Sequence, residues 1–296
     1  MANTNTAAWD QTVAANALDQ SVQIETTTGL GSGGLFDRQI VNHGGVDYLM
    51  LCFATADHVV AGKTLDRINF DTNFSLNASG ATFSSVIGKG FDGNQDLAFI
   101  GLMYDWSTLS GAFQTYINGF APLSMAAFDT NGTAVRSYGY GRTARYWTPG
   151  GGPRAGFIWD SNLGLSGIHR YVNHTVLRTG AYTGGPYSYN EIGWDTSAAA
   201  GEGQINSGDS GGVILQNGTW VGVNTYAVGT TFRVGPTDYE TFAYGDDGGG
   251  LAFTQQDVDW LYTNCETFAA VPEPATMTLL GLAALARRRR AKKTQV

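Results

Sequence analysis

Glycine occupies 41 of the 296 positions of this chain, and Thr, Val, Tyr and Phe recur between the glycines. That mix favours many short strands joined by tight turns over helices. Strand-like segments begin at Ser21–Thr26 and continue through Leu35–Val41, Tyr48–Phe53, Ala81–Ile87, Leu97–Met103, Ala134–Tyr138, Gly212–Leu215 and Trp220–Tyr226. Two links carry hairpin signals: Asn42-His43-Gly44-Gly45, and Gln216-Asn217-Gly218-Thr219 with its Asn-Gly pair. The stretch 142–206, rich in Gly, Tyr and Trp, reads as strands with long decorated loops. Helical spacing comes late, where Thr254 precedes Gln255-Gln256-Asp257 and apolar Val258, Leu261 and Tyr262 follow. Thr254 can cap that first turn with Asp257 reaching back, which predicts a short helix over 254–264.

Hydrophobic residues make up 43% of the chain and charged residues 14%, enough for a sizeable core and against disorder. The formal charge of −8 hides an asymmetry, because Arg287, Arg288, Arg289, Arg290, Lys292 and Lys293 all lie at the extreme C-terminus. Residues 1–270 carry 11 basic and 24 acidic side chains, a net of −13. Such a body repels phosphate backbones, so nucleic acid is excluded as a partner. Cys52 and Cys265 have no zinc-type spacing and make no disulfide framework. They either pair in an oxidising compartment or remain buried thiols.

Residues 1–20 are polar, with neither a basic start nor an apolar run, and read as an N-terminal extension rather than a secretory signal. The main body runs over 21–268. After it, Val271-Pro272-Glu273-Pro274 forms a rigid extended hinge, Ala275–Ala286 is apolar or small throughout, and Arg287–Arg290 follows. A helix over that apolar segment would span roughly 18 Å, short of the ~30 Å hydrocarbon layer. The tail 271–296 resembles the PEP-CTERM sorting signals of Gram-negative bacteria: a Pro-Glu-Pro entry, a short apolar segment, then an arginine cluster. That resemblance implies export, a place in the cell envelope or outside the cell, membrane contact only through the tail, and processing by an exosortase.

The chemistry centres on Ser210, in the run Gly208-Asp209-Ser210-Gly211-Gly212. A serine hydroxyl is a poor nucleophile at neutral pH and needs a base, an acid that orients the base, and donors for a developing oxyanion. The flanking glycines permit a tight loop in which the N–H groups of Gly208 and Ser210 converge on one point. The run also fits Gly-x-Ser-x-Gly, the nucleophile elbow of α/β-hydrolases, but that fold needs a histidine after the serine. His43, His58, His169 and His174 all precede Ser210, which excludes the elbow within one chain. His58 follows the apolar segment Tyr48–Phe53 in Ala54-Thr55-Ala56-Asp57-His58-Val59, and Asp96 opens Asp96-Leu97-Ala98-Phe99-Ile100. The order histidine, aspartate, serine is one of the known triad orders.

These segments resemble the trypsin-like serine proteases: Thr-Ala-Ala-His with Asp57 in place of the second alanine, the family's Asp-Ile-Ala-Leu strand start at Asp96, and its Gly-Asp-Ser-Gly-Gly loop at Ser210. Val221-Gly222-Val223-Asn224-Thr225-Tyr226 resembles the family's Val-Gly-Ile-Val-Ser-Trp strand. Ser137-Tyr138-Gly139-Tyr140-Gly141 resembles its Gly-Trp-Gly turn, and Thr254–Asn264 its C-terminal helix.

The resemblance implies an all-β fold of two packed six-stranded antiparallel β-barrels, roughly 21–130 and 131–250, with the active site between them. It implies a serine endopeptidase acting on protein or peptide through His58, Asp96 and Ser210, with Gly208 and Ser210 as the oxyanion hole and no cofactor or metal. A catalytically silent relative used for surface binding or adhesion is the alternative. Gln204, Thr225, Tyr226 and Ala227 fall at substrate-pocket positions. Gln204 argues against cleavage after Arg or Lys, while Tyr226 and Ala227, in place of Trp-Gly, reshape the pocket. Asp246 and Asp247 stand before the pocket wall at Gly249-Gly250, and their ordinary reading is an exposed turn. Val59 rather than a cysteine stands directly after His58, so the family's usual disulfide of that loop is absent. In digestive members a freed N-terminal amine pairs with the acid before the serine, here Asp209. No activation site is evident in this chain, so Asp209 is expected to find another partner.

Overall fold

The computed structural model describes residues 18, 20–70, 74–119, 121–141, 144–147, 156–159, 169–195, 205, 207–228, 230–234, 237–243 and 247–270. Gln204 and the tail 271–296 therefore lie outside the described residues. The first half supplies β1 (Ser21–Thr26), β2 (Gly29–His43), β3 (Val46–Thr55), β4 (Leu65–Asn69), β5 (Ser75–Asn77), β6 (Phe83–Ile87) and β7 (Ala98–Asp105). A single-turn helix, α1 (Asp57–Val60), follows β3, and α2 (Gly111–Asn118) follows β7. The second half supplies β8 (Ala134–Gly139), β9 (Ala144–Trp147), β10 (Gly156–Trp159), β11 (Arg170–Thr175), β12 (Arg178–Gly184), β13 (Tyr187–Asp195), β14 (Val213–Gln216), β15 (Thr219–Ala227), β16 (Thr230–Val234), β17 (Thr237–Ala243) and β18 (Asp247–Ala252). The helix α3 (Gln255–Ala269) closes the described chain.

Antiparallel pairing collects these strands into one seven-stranded sheet ordered β5-β4-β1-β2-β3-β7-β6 and another ordered β11-β8-β14-β15-β18-β13-β12. Each curls as a half-barrel. A separate four-stranded sheet holds β16-β17-β10-β9. The expected all-β architecture of two packed antiparallel units with a short C-terminal helix is what forms. Each unit has seven strands rather than six, because short edge pieces such as β5, only 3 residues long, add to the ladders.

The two cores follow from period-2 alternation with apolar residues on both faces. In β3, Leu49, Leu51 and Phe53 join Val22, Ile24 and Ile100 inside the first sheet. The alternate residues Met50, Cys52 and Ala54 face the other way, into a core shared with Val213, Trp220, Val258 and Phe268. One strand thus contributes to the interior of its own sheet and to the seam with the second. Ile192, Trp194, Ile214 and Val221 build the interior of the second sheet.

The capping box at the start of α3 forms as its sequence predicts: Thr254 accepts from the Asp257 N–H while Asp257 accepts from the Thr254 N–H. The helix runs on to Ala269 rather than ending near 264. Its last turns have partners that helical spacing alone does not reveal. Phe268 packs on Gly101 of β7, where a Cβ would come within 2.7 Å of the ring, and Cys265 forms a disulfide with Cys52.

That disulfide resolves the open question of the cysteines. It ties α3 to β3 across a sequence separation of 213 residues with the two Cα atoms 6.0 Å apart. A crosslink over so long a loop restricts the unfolded chain strongly. The Cys52→Ala, Cys265→Ala double variant is expected to lose about 2–5 kcal/mol of unfolding free energy. Denaturant melts measure this, and an unchanged midpoint would mean the crosslink contributes nothing to the fold.

Candidate active site

His58 sits in the single turn of α1 immediately beyond the buried end of β3. Lys63 donates from Nζ to the carbonyls of His58 and Val59 at 2.9 and 3.0 Å, placing a cation at the C-terminal end of that turn. Asp96 lies just before β7, so the pairing of β3 with β7, which sets Thr55 opposite Ala98, brings the two residues together. His58 Nδ1 lies 2.8 Å from Asp96 Oδ2 and 3.1 Å from Oδ1, and the His58 backbone N–H donates to Oδ1 at 3.0 Å. A carboxylate accepts only, so Nδ1 carries the proton, and in the neutral ring Nε2 is left as the acceptor. The Asp96 side chain is 4% exposed and the His58 side chain 36% exposed, an arrangement with the acid buried and the imidazole reachable.

Val59 fills the space beside Gly31, where a Cβ would meet its methyl groups at 2.5 and 2.8 Å. Packing of a valine on a glycine thus occupies the ground beside His58.

The Ser210 loop comes from the second half of the chain. Gly208 and Gly211 have φ of +98° and +82°, values that favour glycine. At Gly211 a Cβ would collide with Thr55 Oγ1 and the Ser32 carbonyl, so the loop lies directly against the residues that lead into His58. The Gly211 N–H donates to the Asn224 carbonyl at 2.7 Å, and the Gly212 N–H to the Asp209 carbonyl at 2.9 Å. Asp209 is buried and accepts on Oδ1 from the Gly141 N–H at 2.6 Å, so a backbone amide of the Ser137–Gly141 segment is one partner of that carboxylate. Among the described residues, no acceptor lies on the N–H of Gly208 or of Ser210.

Around this loop the predicted pocket residues have the following partners. Thr225 is buried, and its hydroxyl shares a 2.9 Å hydrogen bond with the Tyr189 hydroxyl. The Tyr226 ring lies against Gly249, where a Cβ would come within 2.7 Å of it. Its hydroxyl donates to Glu191 Oε2 at 3.1 Å, and the ring stacks on Tyr182 with centroids 4.8 Å apart. Burial, followed by the charge of Glu191, pushes the Tyr226 hydroxyl above its ordinary range. Ala227 pairs with Gly248 at the end of β15. Asp247 is engaged with Arg178 at 3.4 Å, together with Asp195 and Glu191, and Asp246 lies outside the described residues.

Several participants were not found from sequence. Asp57, read only as a departure from Thr-Ala-Ala-His, is 3% exposed and accepts from the Tyr187 hydroxyl at 2.9 Å and from the Lys89 N–H at 3.2 Å. The Ser188 N–H adds a 3.0 Å bond to the Asn94 carbonyl, so the tip of the β12–β13 hairpin is fastened to the segment that carries Asp96. Burial and the bond to Asp57 push the Tyr187 hydroxyl up. His174 is buried and stacks on Trp194 at 3.9 Å, and burial pushes its imidazole down to about 3, which keeps it neutral.

Residues 270–291 match the PEP-CTERM protein-sorting motif. This motif is a signal of export and cell-envelope association in bacteria and implies exosortase-type processing. A comparison with curated proteins gives no match. Among solved structures, the chain is similar to mouse neuropsin, a serine protease expressed in the limbic system, at 13% identity and a TM-score of 0.48, covering 83% of this chain and 94% of that one. It is also similar to a Mycobacterium tuberculosis H37Rv protein in the inactive form of a serine-to-alanine mutant, at 16% identity and a TM-score of 0.47, covering 92% and 97%. A scabies mite inactivated protease paralogue stands at 16% identity and a TM-score of 0.47, covering 86% and 95%. At such scores the likeness says nothing of activity, which has to be argued from the site itself.

Proposed function

We propose that this protein is a serine endopeptidase, exported to the envelope of a Gram-negative bacterium, with Ser210 as nucleophile, His58 as general base and Asp96 as the acid that orients it. The observation that carries this reading is the buried Asp96 carboxylate on His58 Nδ1 at 2.8 Å, together with a glycine loop braced against the residues just before that histidine. With Nδ1 protonated, Nε2 takes the Ser210 proton as Oγ bonds to the scissile carbonyl carbon. The negative oxygen formed is bound by the N–H groups of Gly208 and Ser210, each worth about 10²–10³ in rate in comparable oxyanion holes. His58 then passes its proton to the leaving amine as the C–N bond breaks. Water, deprotonated by the same nitrogen, releases the acyl group and restores Ser210. Each step uses groups of this chain, and none calls for a cofactor.

Substrate residues before the cut meet Thr225, Tyr226 and Ala227. Tyr226, held against Gly249 by Glu191 and Tyr182, narrows that side, and Gln204 gives no charge to pair with Arg or Lys.

The deciding experiment is labelling with phenylmethylsulfonyl fluoride. Folded protein is expected to take one sulfonyl group, located on Ser210 by peptide mass mapping, and His58→Ala is expected to abolish the modification. Folded wild-type protein that takes no label would sink the enzymatic reading and favour a silent surface-binding role. Followed through cell fractions, the labelled protein is expected in the envelope and, once residues 271–296 are deleted, in the medium. Unchanged retention would count against the tail as an anchor.

A further inference from the structure

Ser32, to which the sequence alone attaches no role, contacts several parts of the proposed site. It belongs to β2 in the first half of the chain and is 0% exposed. Its hydroxyl donates to the Gly208 carbonyl at 2.8 Å and accepts from the Tyr140 N–H at 2.9 Å. Its backbone N–H donates to the Ser210 carbonyl at 2.8 Å, and its carbonyl accepts from the Thr55 hydroxyl at 2.7 Å. One buried residue thereby joins the Ser210 loop, the Gly139–Gly141 segment that holds Asp209, and the strand that ends just before His58.

Peptide geometry gives this hub a consequence. In a planar trans peptide the C=O of one residue and the N–H of the next point in opposite directions, and the described chain contains no cis peptide. The Gly208 and Ser210 carbonyls are both held by Ser32. The Asp209 carbonyl between them is held by the Gly212 N–H at 2.9 Å and by Asn224 Nδ2 at 3.3 Å. All three carbonyls therefore turn into the protein, and the Ser210 N–H, opposed to the Asp209 carbonyl, turns out of it. Inside the loop the Gly212 N–H holds the 209–210 peptide, whereas the 208–209 peptide is held from outside, by Ser32. Gly208, at φ +98°, has the freedom to let the 208–209 peptide rotate, and the Ser32 hydroxyl is the side-chain group that holds that peptide's oxygen.

We infer that Ser32 is a positioning residue of the active site: by pinning the peptide planes on either side of the Ser210 N–H, it steadies that donor where it receives the oxyanion. This inference rests on the proposed endopeptidase reading and adds to it a residue that never touches substrate. Without the hydroxyl, the Gly208 carbonyl loses its donor and the Tyr140 N–H its acceptor. The loop then samples orientations in which the Ser210 N–H misses the developing charge.

The test separates the chemical step from binding, with phenylmethylsulfonyl fluoride as probe. For Ser32→Ala, the maximal rate of Ser210 labelling at saturating reagent is expected to fall about 10²-fold, the scale of a misplacement near 1 Å. The reagent concentration giving half that rate is expected to stay within about threefold, because binding contacts are untouched. Ser32→Cys, whose thiol is a weak donor and weak acceptor, is expected to fall between the two. It also supplies the measurement if Ser32→Ala does not fold. Melting temperature is recorded for each variant. A lowered melting temperature with an unchanged maximal rate would make Ser32 purely structural and overturn the inference. If wild-type protein is not labelled at all, the endopeptidase reading falls and this inference with it. If wild-type protein labels and the variants label equally fast, only the role of Ser32 falls.

Discussion

Ser210→Ala is expected to lower turnover by about 10⁶, the loss seen when the nucleophile of a comparable serine hydrolase is removed. The reason is chemical rather than structural. Without Oγ no acyl-enzyme forms, and the residual rate comes from substrate binding and the oxyanion donors alone. The loop itself should survive, because the contact that seats this residue uses its backbone: the Ser210 carbonyl accepts from the Ser32 N–H at 2.8 Å. Steady-state kinetics on a peptide substrate, with melting temperature as the control for folding, measures the effect. A loss below tenfold in well-folded protein would assign the nucleophile elsewhere.

Asp96→Asn is expected to lower turnover by about 10⁴ while leaving the fold intact, through the tautomer of His58. Asp96 serves two donors on one carboxylate, the His58 backbone N–H at 3.0 Å and the ring nitrogen Nδ1 at 2.8 Å. An asparagine can keep its oxygen on the backbone N–H only by turning its NH₂ toward Nδ1. That nitrogen must then be the unprotonated one, and the ring proton moves to Nε2, where it blocks acceptance of the Ser210 proton. The same substitution also removes the negative charge that stabilises the imidazolium. Turnover reduced less than tenfold, with native circular dichroism, would remove Asp96 from the mechanism. A double variant no slower than Ser210→Ala alone would mark the two residues as one unit.

Much of this was legible in short stretches of chain. The capping box at Thr254–Asp257, the Asn217-Gly218 hairpin and the both-faces-apolar run of β3 each depend on residues a few positions apart. The glycines around Ser210 likewise announced a tight loop before any partner was known. Other elements were not legible. The helix α2 is only two turns long and opens on a glycine, and it is held by a Ser110 cap and by burial of Phe113 and Ile117. The extension of α3 depended on Gly101 and Cys52, which belong to distant strands.

The sequence by itself determined the chain order that removes the α/β-hydrolase elbow, the glycine loop around Ser210, and the candidacy of His58 and Asp96. All of these are properties of residue type and local spacing. Only the tertiary structure decided that Cys52 meets Cys265, that Asp57 fastens the β12–β13 hairpin through Tyr187, and that Ser32 holds Gly208. Those contacts span 213, 130 and 176 residues of chain. Pairings of that range are set by how two sheets curl and pack, and in each strand a buried serine or aspartate looks the same whether its partner is water or the far half of the molecule.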